Sequence, residues 1–232
     1  MKIKPHLQNV LITLLSFTIC FAGITAQKHP VSAYGKAVQD TAWKDAYMRI
    51  IKKLHQEDKQ QKAQDTSEFM PYQAYTYALI YFDEDSIPEL VAGLDGYWVS
   101  MYTYDKEEGK AHAVMDRWGY GAMGNAGYEY LPKKNCLRNY NSDFAGAVRY
   151  TTYERIKDGK MVSVYPKNLK EVFFIDQNHN GMPEENEYTD QPTYYYGKKE
   201  ISEEKYLSYI ISGKFKNITG TMTYQKIRKK LR

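Results

Sequence analysis

Cysteine is nearly absent from this chain. Two residues in 232, Cys20 and Cys136, allow at most one internal bridge, so a disulfide scaffold is excluded. Charge of one sign is also scarce in excess. Thirty-two basic side chains against 28 acidic ones leave a formal charge of +4, too little for an electrostatic footprint on nucleic acid. Long hydrophobic runs are lacking too: the uncharged stretch Val10 to Ala22 falls short of the roughly 20 residues that a membrane helix needs. The histidines His29, His55, His112 and His179 show no zinc-ligand spacing, and G-x-S-x-G does not occur. Aromatics are what the chain has in quantity. Twenty-three Tyr, 8 Phe and 3 Trp make up 15% of it, which suits half-buried pleated surfaces and supplies ample core.

Residues 1–26 read as a signal peptide. Met1, Lys2 and Lys4 precede the apolar stretch, and Ile24-Thr25-Ala26 offers a cleavage site, with Ala22 as the alternative cut. A retained N-terminal anchor is the competing interpretation. Cleavage would remove Cys20 and two lysines, leaving Cys136 alone in a secreted domain held by packing or by bound ions. Cys136 follows Lys133 and Lys134 and is read as a buried or idle thiol, with a nucleophile as the sharper option.

Residues 27–70 are expected to hold an irregular lead-in to residue 40 and then an amphipathic helix. Trp43, Ala46, Tyr47, Ile50, Ile51 and Leu54 fall on one face, and the polar stretch from Gln56 should fray. From residue 71 to 232 the rhythm is that of strands. Ala74–Phe82 and Leu90–Leu94 flank an acidic turn, Tyr97–Tyr104 and Lys110–Met115 flank Asp105–Gly109, and Val148–Ile156 and Met161–Tyr165 flank Lys157–Lys160. Val172–Ile175 leads into a second acidic loop, and Thr193–Tyr196 turns through Gly197 towards Ser202. Ser202 can cap a helix that carries Tyr206, Leu207, Ile210 and Ile211 inward, and a last short helix is expected near Thr223–Leu231. No long helices alternate with the strands. The class is therefore α+β: an antiparallel sheet with an N-terminal amphipathic helix and short C-terminal helices, in one globular domain.

The segment Asp176-Gln177-Asn178-His179-Asn180-Gly181-Met182-Pro183-Glu184-Glu185-Asn186-Glu187 places oxygen-bearing side chains at positions 1, 3, 5, 9 and 12, with glycine at 6. Calcium takes six to eight hard oxygen ligands, and alternate positions of a tight loop aim such groups inward. The predicted ligands are Asp176, Asn178, Asn180, the Met182 carbonyl, Glu184 and Glu187. The segment resembles an EF-hand loop, but the β-like Val172–Ile175 before it makes the strand-flanked calcium loop of FG-GAP repeats the nearer likeness. Asx turns without metal would use the same residues. A shorter copy lies at Tyr81–Leu90. Aligned on the shared Pro-Glu, it offers Asp83, Asp85 and Glu89, but Tyr81 and Ser86 replace the first acid and the glycine.

Trp43-Lys44-Asp45-Ala46-Tyr47, Tyr77–Leu90, Tyr102-Thr103-Tyr104 and Ile201–Tyr206 together resemble secreted bacterial proteins of unknown function that carry a Y-x-L-I-D-I-D-x-D-G-I-P-E-L segment. The resemblance implies export and the loop geometry, and no reaction. Gly119, Gly121 and Gly124 match G-x-G-x-x-G, yet no helix start follows to hold a phosphate. Trp118, Tyr120, Tyr128 and Tyr130 read as a flexible aromatic loop, with a platform for a sugar or peptide as the functional option. Ser202 to Lys205 satisfies S-x-x-K without its companion motifs. The basic end from Lys226 to Arg232 reads as a solvated helix tail. Two functions remain open: a secreted non-catalytic domain that binds an extracellular protein, glycan or cell-envelope component around a calcium-stabilised loop, or a hydrolase acting on glycan or peptide through a carboxylate pair.

Overall fold

The computed structural model describes residues 33–66, 72–121 and 124–232, so the expected signal segment lies outside the described residues. Helix α1 (Ala33–Gln64) is followed by strands β1 (Thr76–Ile80), β2 (Glu89–Leu94), β3 (Trp98–Asp105) and β4 (Lys110–Gly119), which form a four-stranded antiparallel sheet in chain order. A larger antiparallel sheet contains β5 (Gly127–Leu131), β6 (Cys136–Asp143), β7 (Val148–Lys157), β8 (Lys160–Ser163), β9 (Leu169–Phe174), β10 (Tyr188–Tyr196), β11 (Lys199–Ile201) and β12 (Lys216–Asn217). Its spatial order is β11-β10-β9-β7-β6-β5-β12, with β8 paired to β7. Helices α2 (Glu203–Leu207) and α3 (Tyr224–Lys230) complete the chain. Among the described residues no helix is long and apolar enough to cross a membrane.

Strand alternation distributes the aromatic and aliphatic side chains over three core clusters. On one face of the small sheet, Tyr77, Leu90 and Ala92 meet Tyr47, Ile51 and Leu54 of α1 and Ile227 of α3. On its other face Ala78, Ile80, Val91, Val99 and Met101 meet Tyr130 and Leu137 of the large sheet. The far face of the large sheet buries Cys136, Tyr153 and Leu169 under Tyr206 of α2. The order of layers is thus helix, sheet, sheet, helix, which explains why β2 is buried on both faces.

Three expectations are corrected. First, α1 starts at Ala33 rather than near residue 40 and runs to Gln64 rather than fraying after Gln56. Its polar half is held by tertiary contacts: Glu57 pairs with Arg117 at 2.6 Å, and the His55 ring stacks on Tyr224 at 3.7 Å. Asp58, only 7% exposed, accepts the Tyr75 N–H at 3.0 Å and the Tyr72 hydroxyl. Second, the expected aromatic loop is mostly strand. Trp118 ends β4, Tyr128 and Tyr130 lie on β5, and the Trp118 and Tyr128 rings pack 5.4 Å apart against the core. Third, Leu207 is 56% exposed because α2 stops there, whereas Tyr206 is buried as expected.

Replacing Asp58 with Ala leaves the buried Tyr75 N–H without an acceptor, worth about 1–3 kcal/mol, while the Tyr72 hydroxyl keeps the main-chain carbonyl of residue 58 at 3.0 Å. Asp58→Ala is expected to lower the urea midpoint by the equivalent of roughly 1–3 kcal/mol with an unchanged slope. A loss under about 0.5 kcal/mol would show that this carboxylate does not fasten α1.

Candidate functional site

Both acidic loops are hairpin connections built on the same plan. Ile80 pairs with Glu89 at the end of the β1–β2 ladder, and the Ile175 N–H donates to the Glu187 carbonyl at 2.9 Å beyond β9. Two residues after each isoleucine, a backbone N–H donates into the buried carboxylate of that glutamate. Phe82 N lies 2.9 Å from Glu89 Oε2, and Gln177 N lies 2.8 Å from Glu187 Oε1. Glu89 and Glu187 are 2% and 3% exposed. The following residues form matching Asx turns. Asp83 accepts the Asp85 N–H and Asp85 the Ile87 N–H; Asn178 accepts the Asn180 N–H and Asn180 the Met182 N–H.

This geometry corrects the alignment read from the sequence. The partner of Glu89 is Glu187, not Glu184, because the second loop carries three extra residues before its closing glutamate. Glu187 is engaged by backbone as well: its Oε2 accepts the Glu184 N–H at 3.1 Å, so each carboxyl oxygen accepts one amide.

The remaining members of the 176–187 set converge. Asp176 accepts the Asn180 N–H at 3.0 Å and the Gly181 N–H at 2.9 Å, and Gly181 takes φ 77° to make that turn. Glu184 Oε1 accepts both the Asn178 and Asn180 side-chain amides, at 2.7 and 3.2 Å. Asp176 and Glu184 are therefore both bonded to Asn180. Among the described residues no group of three His, Cys, Asp or Glu stands ready as a metal site. The donor set of Asp176, Asn178, Asn180 and Glu184 is all hard oxygen and suits calcium in kind. The two amides must release Glu184 before their oxygens can turn to an ion. The Met182 side chain is 61% exposed, which leaves only its carbonyl for the expected role.

The first loop does not fit a metal. The Lys106 ammonium lies 2.9 Å from Asp85 Oδ2 and supplies the positive charge. Glu89 is 2% exposed, and burial, reinforced by Asp83 and Asp85, pushes its carboxyl up to about 8 against the lowering effect of the Phe82 N–H.

Beside the second loop lies an open cleft of about 540 Å³ on the large sheet, lined by residues that include Asp176 and Gly181. Its floor contains a cross-strand row, Tyr150 of β7, Lys170 of β9, Tyr195 of β10 and Glu200 of β11, in register across four strands. The Lys170 ammonium stands 4.5 Å from the Tyr195 ring centroid. Phe144, 44% exposed, and Phe174 add aromatic walls. Nothing in local spacing announced this row, because its members come from four strands. The only hint in the sequence was the alternation of Lys170, Val172 and Phe174, and of Thr193 and Tyr195.

Other candidates have structural explanations. Burial pushes the Cys136 thiol up, with Arg138 opposing, and the side chain is 6% exposed in the third core cluster. Ser202 Oγ accepts the Lys205 N–H at 3.2 Å, which makes it the N-cap of α2. Burial also raises the carboxyls of Glu154 and Glu171. Register with Leu137 puts Glu154 on the face turned to the small sheet, whereas Glu171 shares the face of Leu169. Comparison with protein-family models, curated proteins and solved structures finds no match to this chain.

The Glu89 proton has a measurable consequence. The folded carboxyl keeps its proton up to about pH 8, while the unfolded chain releases it near 4.5. Its stabilising contribution is therefore complete below about pH 4.5 and is lost as the pH rises through 8. Glu89→Gln keeps an acceptor for the Phe82 N–H, so it should gain on the wild type between pH 5 and 9 by up to about 4 kcal/mol. Parallel pH–stability curves for the two proteins would contradict the assignment.

Proposed function

We propose that the chain is a secreted, non-catalytic domain that binds an extracellular partner or a cell-envelope component, with the 176–187 loop steadied by calcium. The observation that carries this reading is the open, aromatic-walled cleft that shares Asp176 and Gly181 with the acidic loop. Ligand clefts combine apolar walls with a few convergent polar groups, and here Lys170, Asp176 and Glu200 supply the polar part. The signal-peptide pattern of residues 1–26 and the likeness to secreted bacterial proteins support export in the same reading. The hydrolase alternative needs two carboxyls facing each other across one cleft, about 5–9.5 Å apart. Glu154 and Glu171, whose carboxyls burial raises, lie on opposite faces of the sheet and do not form such a pair.

Asp176, Asn178, Asn180 and Glu184 would hold the ion, with the Met182 carbonyl beside them. Glu187 would keep its hold on the Gln177 and Glu184 amides. Bound calcium would offset the mutual repulsion of Asp176, Glu184 and Glu185 and fix the rim of the cleft. The need to turn two amides away from Glu184 places the affinity at the weak, extracellular end of the range, with Kd about 10⁻⁴–10⁻³ M.

At 10 mM calcium such a site stabilises the fold by roughly 1.4–2.7 kcal/mol. For a domain of this size, that raises the melting temperature by about 3–10 °C. Differential scanning calorimetry of the mature chain should show this rise with calcium, and Asp176→Ala should abolish it. Equal melting temperatures with calcium and with chelator would remove calcium from the account.

A further inference from the structure

We infer that the cleft over β7, β9, β10 and β11 takes a neutral oligosaccharide; this rests on the reading of the chain as a binding module. The floor row alternates aromatic and charged groups: Tyr150, Lys170, Tyr195, Glu200. A sugar ring presents the same alternation, with apolar C–H faces and hydroxyls around its edge. Its C–H faces fit against Phe144 and Tyr150. Its hydroxyl oxygens accept from the Lys170 ammonium, and its hydroxyl protons donate to Asp176 and Glu200.

Charge decides against other occupants. With calcium held by Asp176 and Glu184, the remaining charges of the cleft, Lys170 and Glu200, cancel, so no excess positive charge is offered to a polyanion. An apolar peptide face would cover Lys170 and Glu200 without giving either a polar partner. A neutral polyol satisfies both signs at once. The volume of about 540 Å³ lies within the range of small-ligand clefts.

The rim is built under strain, which is the second observation. Phe144 and Ala145 hold φ of 51° and 53°, in the left-handed region that non-glycine residues rarely occupy. Phe144 is thereby held out at the cleft edge, 44% exposed. An exposed aromatic on a strained backbone is costly for folding alone, and such outliers cluster at ligand clamps.

The test is affinity electrophoresis of the mature chain through gels containing β-glucan, mannan or soluble chitin oligomers. Parallel gels contain heparan sulfate, polygalacturonate or an unfolded casein. At least one neutral glycan should retard the protein. Phe144→Ala, at an exposed side chain, and Tyr195→Ala, from the floor, should each weaken that retardation about tenfold or more. Circular dichroism confirms that each variant is folded, and Phe144→Ala alone suffices if Tyr195→Ala is not. Retardation by none of the neutral glycans, or retardation that survives Phe144→Ala unchanged, overturns the proposal. Retardation only by a charged glycan or by casein, lost in the same variants, overturns the neutral sugar and leaves the binding module standing.

Discussion

A buried glutamate side-chain carboxyl holding a backbone N–H across a hairpin mouth is the interaction on which this architecture depends. A hairpin that opens into a wide loop leaves an amide at its neck with no ladder partner, and a buried orphan amide is costly. Glu89 and Glu187 meet that demand at the two acidic hairpins, one in each sheet. The device frees the next several residues for Asx turns. It also determines which acids remain available. In the first loop Lys106 neutralises Asp85, and the loop is complete as a structural turn. In the second, Asp176 and Glu184 enter no ion pair among the described residues and converge through Asn180 at the edge of a cleft. One structural plan thus serves two ends: a closed turn in the core sheet and an open rim in the outer one.

Tyrosine explains how two stacked sheets and their helices can be built without disulfides. The ring fills a core position while the hydroxyl reaches a polar neighbour. Tyr153 lies in the third cluster and its hydroxyl accepts the Ile211 N–H at 3.2 Å, tying the segment after α2 to the large sheet. Tyr47 packs α1 onto the small sheet and donates to the Tyr102 carbonyl at 3.2 Å. Around the same residues, ring pairs such as Tyr165 with Tyr209 and Tyr196 with Tyr209 carry the packing outward.

Local chemistry made much of this legible. The two hairpins of β1 to β4, the turn at Asp105–Gly109, where Asp105 accepts the Glu107 and Glu108 amides, and the Ser202 cap are all short-range signals and stand close to where spacing placed them, although β4 runs on to Gly119. What was missed depends on distant partners. The sequence of β6, Cys-Leu-Arg-Asn-Tyr-Asn-Ser-Asp, has too few apolar residues to announce a strand, and Asn135 clasps the Ile156 backbone in both directions to start it. Two register shifts in β4 put Val114 and Met115 on the same side, which breaks the period-two pattern. The length of α1 depends on Asp58, Glu57 and His55 finding partners in the segment just before β1, on β4 and on α3. At the candidate site, spacing paired Glu89 with Glu184, whereas the hydrogen bonds pair it with Glu187. The usable signal was that Glu89 and Glu187 each stand at the return strand, immediately before Leu90 and Tyr188. The cleft row was visible only as alternation within single strands, since its residues meet through strand pairing.

The proposed ion and ligand sites share one structural location, the mouth of the β9–β10 hairpin. If Glu187 holds that mouth by itself, the rim of the cleft has its shape before any ion or sugar arrives. Amide hydrogen exchange in calcium-free protein tests this most directly. The account predicts that the Gln177 amide exchanges as slowly as the Val172 and Phe174 amides of the adjoining ladder, and that Glu187→Ala speeds it by orders of magnitude. A Gln177 amide that exchanges in the unmodified protein as fast as a solvent-exposed loop amide would contradict the central claim.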